Sequence, residues 1–381
     1  MAADLRKAPP PEEIPPVNAH LAPSLFVAAA LLAGCGGGRG SSTDLAGADL
    51  AGLDLRDPDD HDGDGTSAAH GDCDDGNALV GPAAFEIAGN GVDDDCDGLV
   101  DEATPACDSA ALGHGDAAAL AAALGLCDAK FLLGAELRGP SDPRARTVVG
   151  KFGVVQKLEG AGMALLSTGI AADVLGAGYV RPEQGTILGD ANTFPNPDPT
   201  LPGVAGCGSS QPATVNDYTE LAVRLRVPSN ARSLSFQLQF FSAEYPEFVC
   251  TAWNDELLVE LESKQAGGAP YNVSFDAAMN PITVNNGFFT VCKNDPGKPQ
   301  TQHCTQPIDG LLDTGYDVVL LGRPIGGSTG WLRTTAPVFP NDEITLRFII
   351  FDEGDHIYDS AALLDKFAWS TDVVGGPVTV Q

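Results

Sequence analysis

Three segments in the second half of the chain alternate apolar and polar residues at every second position. They are "LAVRLRV" (221–227), "SLSFQLQFF" (233–241) and "ITLRFIIF" (344–351). Successive side chains of a β-strand point to opposite faces, so this period gathers the apolar side chains of each segment on one face. We therefore expect antiparallel strands that bury one face and turn the other toward water.

Further strand-like segments lie between clusters of Gly, Pro and Asn. They are "ELLVELES" (256–263), "GFFTVCKN" (287–294), "GYDVVLLG" (315–322) and "FAWST" (367–371). Many short strands separated by turn signals are typical of a sandwich of two sheets. The sequence predicts a mainly β fold, with a jelly-roll-like β-sandwich over residues 148–381.

A short helical segment is expected before the sandwich, within residues 104–147. The stretch "DAAALAAALGLCDAKFLL" has helical composition, with Leu120, Leu124 and Leu126 as its apolar positions. The following "RGPSDPRART" contains two prolines and a glycine, which end such a pattern. We interpret this region as a helical connector.

The chain is strongly acidic, with 52 acidic against 21 basic residues and a formal net charge of −31. Proteins that bind nucleic acid need basic surfaces, so we expect no nucleic-acid partner. Adsorption to an anionic bilayer face is disfavoured for the same reason. Strong acidity suits a secreted protein that meets abundant calcium, although the dispersed acids need no role beyond solubility.

The N-terminal stretch "LAPSLFVAAALLAGCGGG" resembles a bacterial lipoprotein signal with its lipobox Leu32-Ala33-Gly34-Cys35. The apolar run is too short to span a bilayer, and small residues precede the expected cut. The resemblance implies removal of the segment before Cys35 (signal peptide 1–35), lipidation of Cys35, and anchoring to the outer membrane or cell surface of a Gram-negative bacterium. The n-region is unusually Pro-rich and partly acidic, so an ordinary cleaved signal is the alternative. Residues 36–56 are small and repetitive, as in a flexible tether.

An even number of cysteines remains after Cys35, and in an exported chain this indicates disulfides. Spacing alone leaves the connectivity open, with 107–127 and 292–304 as the shortest local pairs. No C-x-x-C spacing occurs, which disfavours a zinc knuckle or a thioredoxin-like site. The candidates are Cys73, Cys96, Cys107, Cys127, Cys207, Cys250, Cys292 and Cys304.

Residues 57–103, here called the Asp-rich module, carry two D-x-D-x-D-G sequences, "DHDGDG" (60–65, the first loop) and "DDDCDG" (93–98, the second loop). This is the front half of an EF-hand-like calcium loop, in which alternate carboxylates converge and glycine permits the turn. Neither loop has the glutamate at position twelve, so neither is a standard EF-hand. We predict Ca²⁺ as the cofactor. The predicted ligands are Asp60, Asp62, Asp64, Asp72, Asp74 and Asp75 for the first loop, and Asp93, Asp95, Asp97, Asp101 and Glu102 for the second.

The pieces "GDCDDG", "GPAAFE" and "GNGVDDDCDGLVDE" closely resemble the metal-binding motif of the MopE type. That family usually has a cysteine where this chain has Ala88, and the departure leaves Cys73 and Cys96 as partners within the module. Two alternatives stay open. One is a disordered acidic linker, and the other is copper or zinc held by Cys73, Cys96, His61 and His70.

Two acidic stretches of the β region form a second candidate metal site. "FFSAEYPEFVCTAWNDELLVELES" (240–263) and "FIIFDEGDHIYDSAALLDKFAW" (348–369) place acids at strand ends beside apolar residues. A cation that pins two loops at the rim of the sandwich is one interpretation, and capping of loops by Asp and Asn side chains is the other. The candidate ligands are Glu244, Asn254, Asp255, Asp352, Asp355, Asp359 and Asp365.

The same two stretches, with "MALLSTGIAADV" as an opening strand and turn, resemble the choice-of-anchor L domain of bacterial surface proteins. Ala243 replaces the first glutamate of the family's "S-E-E-Y-P-E" turn. The resemblance implies a cell-surface protein and assigns no biochemical activity, since none is established for the family.

No H-E-x-x-H, G-x-S-x-G or P-loop motif occurs, so the sequence predicts a protein that is not an enzyme. The leading hypothesis is a calcium-binding surface lipoprotein for adhesion or matrix interaction, with a surface glycan or protein as its ligand. The alternative is a carbohydrate-binding or copper-scavenging surface module, and exposed Trp253 or Trp331 would favour sugar binding. A hydrolase that uses Glu244 and Asp255 is the third hypothesis.

Overall fold

The computed structural model describes residues 58–102, 107, 111–140, 142–188, 193–199, 207, 212–251, 253–295, 297, 301, 303–320 and 323–381. These residues belong to one compact unit, Leu55–Gln381. The predicted signal peptide, Cys35 and the tether of residues 36–56 lie outside the described residues. No helix within the described ranges is long and apolar enough to cross a membrane.

The described part of the chain contains one α-helix, four short 3₁₀-helices and many β-strands. The helix α1 is Ala117–Ala123, and the 3₁₀-helices are Ala68–His70, Pro143–Ala145, Pro182–Gln184 and Ile308–Leu311. The strands are β1 Leu132–Arg138, β2 Arg146–Val149, β3 Lys151–Phe152, β4 Val155–Gln156, β5 Met163–Ser167, β6 Thr193–Pro195, β7 Thr214–Arg226, β8 Ser233–Ser242, β9 Glu256–Ser263, β10 Tyr271–Asn272, β11 Ile282–Thr283, β12 Val318–Leu320, β13 Arg323–Ile325, β14 Gly327–Ser328, β15 Leu332–Pro337, β16 Glu343–Asp352, β17 Ser360–Ser370 and β18 Val378–Val380.

Two antiparallel sheets form a sandwich-like arrangement. One sheet has the order β1-β7-β16-β9-β10, with β6 beside β7 and β11 beside β9. The other has the order β18-β15-β8-β17-β5-β2, with β14 beside β8. This architecture confirms the predicted mainly β fold with a short helix ahead of the sandwich.

The three alternating segments form β7, β8 and β16, and their apolar faces meet between the sheets. Phe236 on β8 and Phe348 on β16 are fully buried and pack edge to face, with ring centroids 5.1 Å apart. Leu221, Val223 and Leu225 on β7 are 0% exposed in the same core. The period-two pattern therefore identified the faces that the two sheets bury against each other.

The outer face of β8 is covered, contrary to the expectation that one face of each strand meets water. Phe241 packs with Phe152 and Tyr316 in a second apolar cluster, at centroid distances of 5.3 and 5.5 Å. Gln239 on the same face is 4% exposed and donates a hydrogen bond to Ser328 Oγ at 2.8 Å. Distant loops therefore add a layer over this sheet and satisfy its polar side chains.

The helix α1 is shorter than the connector expected for residues 104–147. It begins after Asp116, whose carboxylate accepts a hydrogen bond from the Ala119 N–H at 3.0 Å. Leu120 and Leu124 are at most 1% exposed and pack against the sandwich core. Gly125, at a left-handed φ of 92°, follows the helix, and the chain then enters β1, which pairs with β7.

The eight described cysteines form four disulfides. The structure joins Cys73 to Cys96, Cys107 to Cys127, Cys207 to Cys250, and Cys292 to Cys304. The first pair is the one implied by the MopE-type resemblance, and the second and fourth are the local pairs expected from spacing. The pair 207–250 spans 43 residues, and spacing gave no indication of it.

The Asp-rich module lies against the sandwich. The side chain of Asn230, in the turn between β7 and β8, exchanges hydrogen bonds with the backbone of Phe85. Asn341 Nδ2 donates to the carbonyl of Asp64 at 2.9 Å, and the Ser229 N–H donates to the carbonyl of Ala83 at 2.9 Å. These contacts fix the first loop and the segment before Glu86 on the end of the sandwich.

Candidate metal centres

The first loop brings three carboxylates together. One oxygen each from Asp60, Asp62 and Asp64 lies within 4.8 Å of the other two. Backbone N–H groups hold the turn: Gly65 donates to Asp60 at 3.1 Å, Asp64 to Asp62 at 3.1 Å, and Thr66 to Asp64 at 2.7 Å. The turn therefore aims the side chains inward, as the D-x-D-x-D-G spacing predicts.

Buried oxygens at this loop have no hydrogen-bond donor. Oδ2 of Asp62, Asp64 and Asp72 are each inaccessible and without a partner. Burial, followed by repulsion from Asp62, Asp72 and Asp60, raises the pKa of Asp64 to about 6. Burial and the neighbouring Asp62 also raise the pKa of Asp72. A cation is the group that would satisfy these oxygens and oppose their repulsion.

Two predicted ligands of the first loop are directed elsewhere. Asp75 pairs with His61 through Oδ2 and Nδ1, and it also accepts a hydrogen bond from the His61 N–H at 3.2 Å. The hydrogen bond to Asp75 raises the pKa of His61, and the pKa of Asp75 is lowered in return. Asp74 is exposed on the adjacent turn. Neither joins the converging carboxylates.

The second loop repeats the turn of the first. Asp93, Asp95 and Asp97 bring one oxygen each within 4.8 Å of one another. Gly98 donates to Asp93 at 2.9 Å, Asp97 to Asp95 at 3.2 Å, and Leu99 to Asp97 at 2.8 Å. The donors stand at the same spacings from the acceptors as in the first loop, five, two and two residues later, so the two loops share one local design.

Glu86 organises the second loop, and the ligand prediction omitted it. Its Oε1 accepts from the N–H groups of Asp94 and Asp95, at 2.8 and 3.1 Å, and its Oε2 accepts from Asp101 N–H at 3.0 Å. Glu86, Asp95 and Glu102 form a further group of converging carboxylates. The glutamate of "GPAAFE" was the available signal, since it stands in the MopE-type pattern.

Within that group, Asp95 is paired with a basic residue, whereas Glu102 has no such partner among the described residues. Oε2 of Glu102 is buried without a partner, and burial followed by repulsion from Glu86 raises the pKa of Glu102. Asp95 forms an ion pair with Lys130, which partly offsets its charge. A cation beside Glu86 and Glu102 would share Asp95 with the second loop.

Asp101 holds a turn and does not join the converging carboxylates. Its carboxylate accepts from the N–H groups of Gly89, Asn90 and Gly91, at 2.6, 2.9 and 3.0 Å. These bonds close the "GNG" turn over the second loop. The prediction of a ligand at position nine rested on loop position, and Asp101 lies in none of the converging carboxylate groups of the described residues.

The thiol and imidazole ligands of the copper or zinc alternative are engaged elsewhere. Cys73 and Cys96 are joined in a disulfide with Cα atoms 5.7 Å apart, which ties the two halves of the module together. His61 bonds Asp75, and His70 Nδ1 lies 2.9 Å from Ser67 Oγ. The converging groups therefore offer carboxylate oxygens, the ligands that hard cations prefer.

Three acids meet at the rim of the sandwich, and we call Glu244, Asp255 and Asp352 the rim cluster. Each is at most 1% exposed, and one oxygen from each lies within 4.8 Å of the others. Phe351 of β16 pairs with Glu256 of β9, so the next residues, Asp352 and Asp255, lie side by side. Glu244 follows β8 and accepts from the Asp255 N–H at 2.9 Å.

The rim cluster is electrostatically unfavourable on its own. Burial is the main cause that raises the pKa of all three acids. Repulsion adds to it: Asp352 and Glu244 act on Asp255, and Glu244 acts on Asp352. Both oxygens of Asp255 and both oxygens of Asp352 are buried without a hydrogen-bond donor.

The other four predicted rim residues have other partners. Asn254 accepts from Asn285 Nδ2 at 2.8 Å, Asp355 from Ile357 N–H at 2.9 Å, Asp359 from Thr186 N–H at 3.1 Å, and Asp365, on β17, from Leu158 N–H at 2.6 Å. Glu353 is a buried acid that the prediction missed. Its Oε1 has no partner, and burial raises its pKa to about 7. Only its position after Asp352 could have indicated it.

Fold and sites together define a disulfide-bonded β-sandwich protein with a metal-binding module at one end. The model of the choice-of-anchor L domain matches residues 145–369, more than half of the chain, and the chain belongs to this family. A second model, of the MopE type and described as "Putative metal-binding motif", matches residues 72–102. The first loop precedes that match. No curated protein and no solved structure matches the chain.

These matches fix the broad class of the protein. The choice-of-anchor domain and the disulfides indicate an exported cell-surface protein. The same domain and the sandwich fold indicate a non-enzymatic surface module. The MopE-type motif and the converging carboxylates indicate metal binding.

Proposed function

We propose that the protein is a non-catalytic, calcium-binding lipoprotein of the cell surface that acts in adhesion or matrix interaction. The observation that supports calcium is the repeated turn of the two loops, in which carboxylates converge and buried oxygens lack donors. Burial of uncompensated carboxylates is unfavourable, so a bound cation would stabilise this arrangement.

The donor set favours calcium over the other metals. Calcium takes roughly six to eight oxygen ligands in flexible geometry, whereas magnesium keeps several of its waters. Asp60, Asp62 and Asp64 would hold an ion in the first loop. Asp93, Asp95 and Asp97 would do so in the second, with Glu86 and Glu102 beside them. A bound ion supplies positive charge that links segments which otherwise repel each other.

Calorimetric titration of the purified, disulfide-bonded protein with calcium tests this proposal. We expect calcium to bind and to raise the unfolding temperature, since a ligand at about 100 times its Kd stabilises by about 2.7 kcal/mol. Asp62→Asn should weaken binding. Asp74→Asn is the matched control, because it removes the same charge from an exposed neighbour outside the converging group. Equal calcium binding in both variants would contradict the proposal.

The lipid anchor rests on the resemblance of the segment around Cys35 to a lipobox. Replacement Cys35→Ser should release the protein from the membrane fraction of the producing cells. A replacement of the nearby Ser41 by Ala is the control, since it leaves the lipobox intact. Unchanged membrane fractionation of Cys35→Ser would remove the anchor from the proposal.

Carbohydrate binding is the second candidate, and the position of Trp253 favours it. Trp253 is 42% exposed, on the connection between β8 and β9. Phe248 packs against it with ring centroids 5.7 Å apart, and Tyr358 lies 4.9 Å from Phe248 on the other side. Trp331, the other aromatic considered, is half-buried against the second apolar cluster. Exposed aromatic faces suit the apolar faces of sugar rings.

A glycan-array measurement separates this candidate from protein adhesion. If the aromatic group around Trp253 binds sugar, Trp253→Ala should abolish glycan binding, while Phe339→Ala should leave it unchanged. Phe339 is a suitable control because it is 47% exposed on the turn between β15 and β16. Binding that survives Trp253→Ala would count against a sugar site at this position.

A further inference from the structure

We propose that Glu244, Asp255 and Asp352 form a second cation site, separate from the Asp-rich module, which holds a dehydrated calcium ion and links the two sheets at the rim of the sandwich. This goes beyond the proposed function, which rests on the loops of the Asp-rich module. The site would make the choice-of-anchor domain itself a calcium-dependent structure.

The first support is the burial of three acids with no basic partner. Glu244, Asp255 and Asp352 are 1%, 0% and 1% exposed. Among the described residues, no Lys, Arg or His forms an ion pair with any of the three. The nearby His356 is paired with Asp217 at 2.6 Å. Buried charges in proteins are paired or bound to metals, and a cation would supply the missing partner.

The second support is the set of free ligand atoms. All four carboxylate oxygens of Asp255 and Asp352 are buried, and none accepts a hydrogen bond of regular geometry. The Ser360 Oγ, at the start of β17, lies beside the Asp255 carboxylate and is also buried without a hydrogen bond of regular geometry. Buried polar atoms are normally satisfied, so this many unpartnered oxygens at one place indicate a missing ligand. Each of these atoms is an oxygen, which suits a hard cation.

The third support is the way in which the fold positions the carboxylates. Asp352 is the last residue of β16, and Asp255 immediately precedes β9, which pairs with β16; the Phe351–Glu256 pair places them next to each other at the edge of that sheet. Glu244 follows β8, which belongs to the opposite sheet of the sandwich, and its Oε2 accepts a hydrogen bond from the Asp255 N–H. Oriented hydrogen bonding of this kind fixes a carboxylate for ligation. An ion among the three would bridge the two sheets where the sandwich opens.

Burial decides between calcium and magnesium. A site this inaccessible has little room for the water molecules that magnesium retains, whereas calcium exchanges its waters for protein oxygens readily. Protonation is the competing solution, since neutral carboxylic acids can share hydrogen bonds without any ion. The two solutions differ in the number of ions bound and in the response to amide substitution.

Native mass spectrometry at neutral pH, with calcium and after removal of free ion, measures the number of ions per chain. We expect Asp255→Asn and Asp352→Asn each to lose one calcium ion that Asp355→Asn keeps. Asp355 is the matched control because it carries the same charge nearby and caps the Ile357 N–H instead of joining the cluster. Equal ion counts in all three variants would overturn the proposal in favour of protonated acids.

A variant of the Asp-rich module separates this proposal from the function proposed above. Asp62→Asn combined with Asp95→Asn should lose the ions of the module and keep the ion of the rim cluster. If the module variant loses calcium while Asp255→Asn and Asp352→Asn lose none, the proposed function stands and the rim site is overturned. Loss of calcium only in the rim variants, with the same ion count in the module variant as in the wild type, would do the reverse.

Anomalous scattering from wild-type crystals covers the case in which rim variants fail to fold. Crystals grown with terbium, which replaces calcium at oxygen sites, should show an anomalous peak between Glu244, Asp255 and Asp352. A water molecule or carboxyl–carboxyl hydrogen bonds at that position, with terbium peaks elsewhere, would overturn the site without any substitution.

Discussion

Asn230 and Phe85 hold the Asp-rich module on the sandwich through a two-way exchange of hydrogen bonds. Asn230 Nδ2 donates to the Phe85 carbonyl at 2.9 Å, and Asn230 Oδ1 accepts from the Phe85 N–H at 3.1 Å. Asn230 is 0% exposed, and the ring of Phe85 packs against the main core. The segment that leads into Glu86 is therefore positioned by the turn between β7 and β8, and not by the module alone.

Removal of this amide should destabilise the module. Asn230→Ala leaves the N–H and the carbonyl of Phe85 unpaired, and each unsatisfied buried group costs about 1–3 kcal/mol. Urea unfolding should show this loss. The control Gln156→Ala removes an amide that bonds only the exposed carbonyl of Val154, so its stability should match the wild type. A loss as small as that of the control would mean that the module is not coupled to the sandwich.

Arg347, on β16, holds two buried glutamates from the neighbouring strands. Its guanidinium donates to Glu220 Oε1 at 2.8 Å and forms a second ion pair with Glu260. Replacement Arg347→Met leaves both carboxylates without their cation, and breaking a buried pair costs about 3–5 kcal/mol. The exposed pair of Lys264 and Glu343 is the control, and Lys264→Met should change little. Equal shifts of the urea midpoint in Arg347→Met and Lys264→Met would contradict the prediction that the buried ion pairs contribute more to stability than the exposed one.

The same arginine sets the acid response of Glu220. Burial alone would raise the pKa of Glu220, but hydrogen bonds from Arg347 and Tyr218 lower it below its usual range. A carboxyl with a depressed folded pKa stabilises the protein above its unfolded pKa, about 4.3 for glutamate, and loses that contribution as the pH falls through the folded value. We therefore expect the stability gap between wild type and Arg347→Met to shrink below about pH 4 in acid-dependent urea unfolding. A gap that widens in acid would contradict this sign.

The sequence predicted the parts of the fold that local patterns determine. The alternation in β7, β8 and β16 identified Leu221, Phe236 and Phe348 as core residues, because the faces of a strand follow from its period. It did not reveal the cover over the outer face of β8. Phe241 is buried there by Phe152 and Tyr316, which are far away in the sequence. Their approach depends on loop paths that no local pattern encodes.

The same division between local and distant contacts applies to the candidate metal centres. The converging carboxylates of the first and second loops follow from one local turn, so D-x-D-x-D-G was sufficient to predict them. Which acids converge on one point depends on how distant segments meet and not on the number of N–H donors, since Glu86 accepts from three N–H groups and still lies in a converging group. Asp101 meets three donors of the "GNG" turn, whereas Glu86 is brought beside Glu102 from fifteen or more residues away.

The disulfide between Cys73 and Cys96 should support calcium binding. It closes a loop with a sequence separation of 23 residues, for which the loss of chain entropy corresponds to about 3 kcal/mol. The double variant Cys73→Ser and Cys96→Ser should bind calcium more weakly, because the Asp72 and Asp95 segments are no longer held together. The double variant Cys107→Ser and Cys127→Ser is the control, since that pair lies outside the module. Equal calcium affinity of both variants by calorimetry would assign the first disulfide no role in binding.

Two replacements of Glu86 distinguish its charge, which would bind an ion, from its hydrogen bonds, which support the turn of the second loop. In Glu86→Gln the side-chain oxygen can still accept from the N–H groups of Asp94 and Asp95, while the negative charge and the acceptor of the Asp101 N–H are lost. In Glu86→Ala the turn loses both acceptor oxygens, and the N–H of Asp101 loses its partner as well. If Glu86 ligates an ion with Asp95 and Glu102, calcium affinity should fall in both variants, and the unfolding free energy without calcium should fall mainly in Glu86→Ala. The loss there should be about 1–3 kcal/mol for each unpaired buried group.

Calcium titration and chelator-treated urea unfolding of the two variants give both quantities. Unchanged calcium affinity in Glu86→Gln would restrict Glu86 to a structural role and leave Asp93, Asp95 and Asp97 as the ligands of the second loop.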